Sequence, residues 1–292
     1  MAIFQKAYQG YSGELSGNID RTLVIFRYAM ADVFKSRLFA AFFVATLLFP
    51  LSLICTLYVY HNLDLLVQLE IVLSELAPID GSLVAAVMQL PQNTILFFLV
   101  LAVGPTMISP DLRNNAMPLI LSRSISKTNY IAGKMLVLLV LGSLISWIPA
   151  LVIFVLQAFL ASDGWLAQNW HLPLASMITS LSWIIVLSLL AFAISAFVKW
   201  KTVARIVFFS IIAISSILGE VIQEIFGGMS GHLVNINAAL QVLVANTFDA
   251  SSDMVITYPD MPLWIALVQL LTLASVSLFL LSRRIRAFQV VS

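Results

Sequence analysis

The sequence predicts an all-α membrane protein built as one domain. Six transmembrane helices follow an amphipathic N-terminal interfacial helix, with a short cytoplasmic helix between spans two and three and short external helices before spans two and six. Three observations carry this prediction. The 292-residue chain is 61% apolar and only 10% charged, and its mean hydropathy is +1.02, whereas soluble domains are roughly 45–50% apolar and about 25% charged. Six apolar stretches reach or approach the roughly 20 helical residues needed to cross a hydrocarbon layer of about 30 Å. All 15 Lys and Arg residues fall in alternate gaps between those stretches, which is the positive-inside pattern.

The basic gaps are the N-terminal region (Lys6, Arg21, Arg27, Lys35, Arg37), the connection after span two (Arg113, Arg123, Lys127, Lys134), a short loop (Lys199, Lys201, Arg205) and the tail (Arg283, Arg284, Arg286). These face the cytoplasm. The other gaps hold acids: Asp64, Glu70, Glu75 and Asp80, then Asp163, then Asp249, Asp253 and Asp260. The net charge of +1 is the near-cancellation of two segregated populations. It is a topology signal and implies no nucleic-acid partner.

In chain order, Ile19, Leu23, Phe26, Met30 and Val33 repeat at helical spacing, with Asp20, Arg21, Arg27, Asp32 and Lys35 on other faces. Asn18 is the expected N-cap. A basic amphipathic helix directly before a span suits the membrane interface; the alternative is a cytoplasmic helix packed on its own protein. The spans are placed at about Leu38–Tyr60, Asn93–Ser109, Met135–Leu160, Pro173–Val198, Val203–Phe226 and Pro262–Ser282, so both termini are cytoplasmic. Pro91 interrupts an uncharged stretch beginning at Gly81, which leaves an earlier start for span two open. Residues 61–92 carry an amphipathic stretch (Leu65, Leu66, Leu69, Val72, Leu73, Leu76), and residues 227–261 another (Ile236, Leu240, Leu243, Val244). Both are expected as external helices lying over or dipping into the bundle. A single cysteine, Cys55, excludes an intrachain disulfide. Polar residues ahead of the first span argue against a removable signal peptide.

Membrane-embedded enzymes place carboxylates, histidines or nucleophile pairs within their spans. Here five of the six spans lack charge, and His61, His171 and His232 lie far apart at outer ends, without metal-ligand spacing. The chain is therefore expected not to be an enzyme and to hold no catalytic residue, cofactor or metal. Gly133-Lys134 is followed by Met135 and has no glycine five residues upstream, so it is not a phosphate loop. Glu220 and Glu224, at i and i+4 near the outer end of span five, share one helix face. They read either as a candidate external gate or cation site, or as the mark of the interface where the helix leaves the hydrocarbon.

The connection between spans two and three is the most specific segment. Ser109 is the expected cap of a short helix, with Pro110 at its start and Asp111 in its first turn. Leu119-Ile120-Leu121-Ser122-Arg123-Ser124-Ile125-Ser126-Lys127 follows, and Thr128-Asn129-Tyr130-Ile131-Ala132-Gly133-Lys134 leads into span three. This run resembles the coupling loop of the type-two ABC permease superfamily, in which a Leu-rich Ser-Arg-Pro-Ile-Ser-Arg segment precedes Tyr-x-x-Gly-Lys. Ser124 stands where that family has Pro. Asp111, Arg113, Asn115 and Ala116 replace its acidic stretch and Gly-Thr step. The resemblance covers about 28 residues as a motif and the whole chain as a span layout.

The resemblance implies a transmembrane permease subunit of an ATP-binding-cassette transporter in the bacterial plasma (inner) membrane. Such a subunit pairs with a second copy or a homologous permease and with cytoplasmic ATPase subunits that bind ATP and Mg. Asp111, Arg113, Ser122, Arg123, Lys127 and Lys134 would contact the ATPase, and spans two and five would line the route. The absence of an importer-type EAA loop favours an exporter. A route bearing only Thr94, Thr106, Ser210, Ser215 and Ser216 favours a lipid-like, amphipathic or neutral substrate. The alternative function is a non-transporting membrane anchor or mechanotransmission subunit driven by the same kind of ATPase.

The orientation has a direct test. In a Cys55→Ala background, cysteines at Asp80 and Asp253 are expected to react with an impermeant thiol reagent on intact cells, and one at Thr128 only after permeabilisation. Outside labelling at 128 would invert the topology.

Overall fold

The structure, a computed structural model, describes residues 17–68, 81–121, 125–161, 164–248, 258 and 260–286. Among these residues all regular structure is helical. Six helical segments are long and apolar enough to cross a membrane: Arg37–Tyr60, Leu96–Arg113, Lys127–Leu160, Trp165–Phe197, Lys201–Phe226 and Leu263–Ile285. The chain is therefore a multi-pass, all-α membrane protein by length and composition of its helices.

Helix α1 (Asn18–Phe34) is capped from Gly17, whose N–H donates to Asp20 Oδ2 at 3.0 Å. Asn18 is thus inside the helix and not its cap; its carbonyl accepts from Thr22 Oγ1 at 3.0 Å. Ala29 is buried, and Ile25, Phe26, Met30 and Val33 pack against the main core. Ile19, Leu23, Val24 and Tyr28 stay exposed. The helix is thus apolar on two sides, one against the bundle and one outward. Ser36 ends the turn after it and caps α2 (Arg37–Tyr60) by accepting from Phe39 N at 3.3 Å.

After α3 (Leu63–Gln68), residues 69–80, with Leu69, Val72, Leu73, Leu76, Glu70, Glu75 and Asp80, lie outside the described residues. Span two, Leu96–Arg113, overlaps the expected Asn93–Ser109 to within about a turn. Helical structure leads into it from α4 (Gly81–Leu90) through a π-helical stretch, Pro91–Ile95, to α5 (Leu96–Val103). Proline cannot donate to the ladder, and a wider turn accommodates its ring without ending the helix. A 3₁₀ turn, Gly104–Thr106, then carries the chain to α6 (Ser109–Arg113) and α7 (Ala116–Leu121).

Span three is also segmented. Helix α8 (Lys127–Ile145) starts well before Met135, capped by Ser126 Oγ accepting from Asn129 N at 3.1 Å. It breaks at Ser146, and α9 (Trp147–Leu160) continues. Pro149 explains the break, because its ring would collide with the carbonyl of Ile145 four residues earlier. Asp163 lies outside the described residues.

Past α10 (Trp165–Asn169), α11 (Leu172–Phe197) forms the centre of the bundle, with 67% of its most apolar window buried against 17% for α2 and α12. Helix α12 (Lys201–Phe226) follows, and α14 (Leu263–Arg286) closes the bundle. Between them, α13 (Ile236–Thr247) takes the second of its two expected placements. Ala238, Ala239, Leu240, Val242, Leu243 and Val244 are all buried, so it dips fully into the bundle beside α11, α12 and α14. Its N-cap, Asn235, accepts from Ala238 N at 3.1 Å through Oδ1. Gly219 of α12 lets that cap approach: a Cβ there would lie 2.7 Å from Asn235 Cβ and 2.9 Å from the Gly231 carbonyl oxygen.

Candidate functional site: the connection between spans two and three

The connection between spans two and three is held from three directions. Asp111, in the first turn of α6, turns toward α8. Its Oδ2 accepts from the Tyr130 hydroxyl at 2.6 Å and lies 3.1 Å from Lys134 Nζ. Tyr130 is 1% exposed, and the Lys134 and Asp111 side chains are 14% and 23% exposed. Lys134 Nζ also sits 5.6 Å from the centre of the Tyr130 ring. Short, charge-assisted contacts of this kind are about twice as strong as neutral hydrogen bonds, and half-withdrawal from water strengthens them further.

Tyr130, Gly133 and Lys134 are spaced i, i+3 and i+4 and therefore neighbour one another on α8. Each position has its own physical reason. Tyr130 and Lys134 hold Asp111, while Gly133 lets α1 come into contact: a Cβ at 133 would lie 2.8 Å from Ile25 Cβ and 2.9 Å from the Thr22 carbonyl oxygen. The Tyr-x-x-Gly-Lys pattern thus joins α1, α6 and α8 at one place.

The second anchor is Ser195 of α11, wholly buried. Its hydroxyl accepts from Ile108 N at 3.2 Å and Ser109 N at 2.8 Å, and donates to the Pro105 carbonyl at 2.8 Å. These groups come from the irregular stretch between α5 and α6, where helical bonding lapses and buried amides need partners. Ser109 is consequently not the cap of α6; its own hydroxyl donates back to Pro105 O at 3.1 Å. The third anchor is the Arg113 guanidinium, 4.5 Å from the centre of the Trp200 ring in the loop before α12.

Between α6 and α7 the chain reverses through Asn115, at φ 51°. Asparagine tolerates this left-handed backbone better than other side chains do, and Asn115 occupies the position where the resemblance expects glycine. Of the remaining residues expected to face a partner, Lys127 opens α8 and is half-buried, whereas Ser122 and Arg123 lie outside the described residues. Sequence reasoning missed Ser195, Trp200 and Tyr130 as anchors. Serine recurs throughout these spans, and only the unusual Gly104-Pro105-Thr106 step hinted that a backbone donor there would need help.

Two cavities flank α5 and α12. The inner one, of about 450 Å³, has Thr106, Asp111, Lys134, Lys201 and Arg205 in its wall. The outer one, of about 530 Å³, is lined by Thr94, Phe97, Phe209, Ser216, Glu220, Asn237 and Tyr258 among others. Glu224 lines a smaller adjoining hollow with Glu220, Gln223 and His232. Burial, and after it the Glu220 carboxylate, push the Tyr258 phenol above its ordinary pKa. Ser216 Oγ accepts from Asn237 Nδ2 at 2.9 Å, which ties this wall to the start of α13.

Comparison with protein-family models and with curated proteins finds no match for the chain. Fold and site define the class on their own terms: a six-span helical membrane protein with an anchored connection between spans two and three.

Proposed function

We propose that the chain is the transmembrane permease subunit of an ATP-binding-cassette transporter, exporting a lipid-like, amphipathic or other small substrate. It would work as a pair with a second copy or a homologous permease, driven by cytoplasmic ATPase subunits that bind ATP and Mg. One observation carries this reading. The connection from α6 to α8 is fastened at once to α8 by Asp111, Tyr130 and Lys134 and to α11 by Ser195, as a segment that transmits force must be. A loop serving only to fix topology has no need of such fastening. The resemblance of residues 119–134 to the coupling loop supplies the partner. Cavities on both sides of α5 and α12 suit a route between spans two and five, with Glu220 and Glu224 as its candidate external gate.

The test is charge reversal of Arg123 and Lys127 to Glu. Close charge pairs across interfaces contribute about 1.5–7 kcal/mol of coupling, so the double variant is expected to lose ATPase co-purification or to uncouple hydrolysis from transport, while inserting normally. Unchanged binding and unchanged coupled transport would reduce the loop to a topological anchor. Retained ATPase coupling without substrate movement in vesicles would instead favour the mechanotransmission role.

A further inference from the structure

The inner cavity is amphipathic. Phe42, Phe98 and Leu101 give it apolar lining, and Lys201 and Arg205 on α12 give it cations, with Asp32, Asp111 and Lys134 also in its wall. The two carboxylates have cations already: Asp32 pairs with Lys35 and Asp111 with Lys134, both at 3.1 Å. Lys201 and Arg205 belong to neither pair. Arg205 Nη2 donates to the Ala102 carbonyl at 2.8 Å, which uses one of a guanidinium's five N–H donors. Arg205 lies one turn deeper along α12 than Lys201, so two cations at successive depths stand beside an apolar slot. By the segregation of basic residues, that level is the cytoplasmic leaflet, whose anionic lipids attract Lys and Arg. The volume, about 450 Å³, falls within the range of about 300–1,000 Å³ typical of specific ligand sites.

We propose that this cavity binds one anionic phospholipid of the cytoplasmic leaflet, its phosphate on Lys201 and Arg205 and an acyl chain against Phe42, Phe98 and Leu101. Such a lipid bridges α1, α2, α5 and α12 and touches the Asp111–Lys134 pair that holds the cytoplasmic connection. The inference rests on orientation in the membrane and not on the ATPase reading, so it stands whatever becomes of Arg123 and Lys127.

The experiment is native mass spectrometry of the purified full chain, titrated in detergent with phosphatidylglycerol and, separately, phosphatidylcholine. One molecule of phosphatidylglycerol is expected to bind preferentially. Lys201→Gln with Arg205→Gln is expected to weaken it about 30-fold, as two basic side chains at an anionic leaflet imply. Lys199→Gln, exposed just before α12, should leave binding unchanged. Because Arg205 also supports Ala102, a second variant, Ala102→Leu, fills the slot and keeps both cations; it should weaken the lipid equally with an unshifted melting temperature. Equal binding of both lipids, retention in both cavity variants, or displacement by glycerol phosphate at comparable concentration would each overturn the proposal.

Discussion

Leucine in place of Gly133 is expected to destabilise the protein by about 3 kcal/mol, the upper end of the cost of overpacking, and to lift α1 away from α8. Even a methyl group at this position meets Ile25 Cβ at 2.8 Å and the Thr22 carbonyl oxygen at 2.9 Å. Ile25 could rotate a terminal methyl aside, but its Cβ and the Thr22 backbone can move only if the whole of α1 moves. Alanine's better helix propensity, about 1 kcal/mol over glycine, works against the clash, so Gly133→Ala should fall between wild type and Gly133→Leu. Thermal unfolding in detergent measures the loss, and thiol labelling at a Met30→Cys reporter, half-buried on the packed side of α1, measures the separation. Unchanged melting together with unchanged protection of residue 30 would mean that α1 is not held at Gly133.

Asp111→Asn is expected to cost about 2–3 kcal/mol and to loosen the connection between spans two and three. The substitution keeps the shape but removes the charge that both the Tyr130 hydroxyl and Lys134 address. Hydrogen bonds to charged groups contribute about 1.5–3 kcal/mol, and removing one partner strands the other. Since Lys134 and Asp111 are 14% and 23% exposed, water recovers part of the loss, which keeps the figure below that of a fully buried pair. Adding Lys134→Met removes the stranded cation, so the double variant should be more stable than the sum of the singles, a coupling a double-mutant cycle reads directly. Strict additivity would show that Asp111 and Lys134 do not interact in the folded protein. Under the proposed function, Asp111→Asn in a reconstituted system is expected also to lower transport per ATP hydrolysed.

Hydropathy, charge segregation and local motifs made most of the bundle legible, because each is a property of contiguous residues. The spans share most of their residues with their sequence placement; the largest departures are the earlier starts of the third and fourth, at Lys127 and Trp165, and Pro91 widens the helix that leads into span two and does not end it. Helix α13 was visible as Ile236, Leu240, Leu243 and Val244 at helical spacing. Its depth was not, because alanines and valines on its remaining faces are compatible with either exposure or burial. Within the site, Asp111 and Lys134 were singled out from the motif, but their pairing joins positions 23 apart in sequence (134 minus 111), and the Ser195 bonds span 86 and 87 positions. Nothing local distinguishes Ser195 from Ser188 seven residues before it; only the lapse of helical bonding in a distant segment gives one of them a task.

The valence of that one hydroxyl has a mechanical consequence. A serine offers one donor and two acceptor lone pairs, and Ser195 uses all three on a single neighbouring stretch of backbone. Sliding that stretch along α11 would strip three bonds together in a dry setting, at about 1–3 kcal/mol for each group left bare, with no spare lone pair to catch one as another breaks. The joint therefore behaves as a weld, and strain delivered to α6 must travel onward to the places where the chain already yields: the Ser146 step above Pro149, and the wide turn at Pro91.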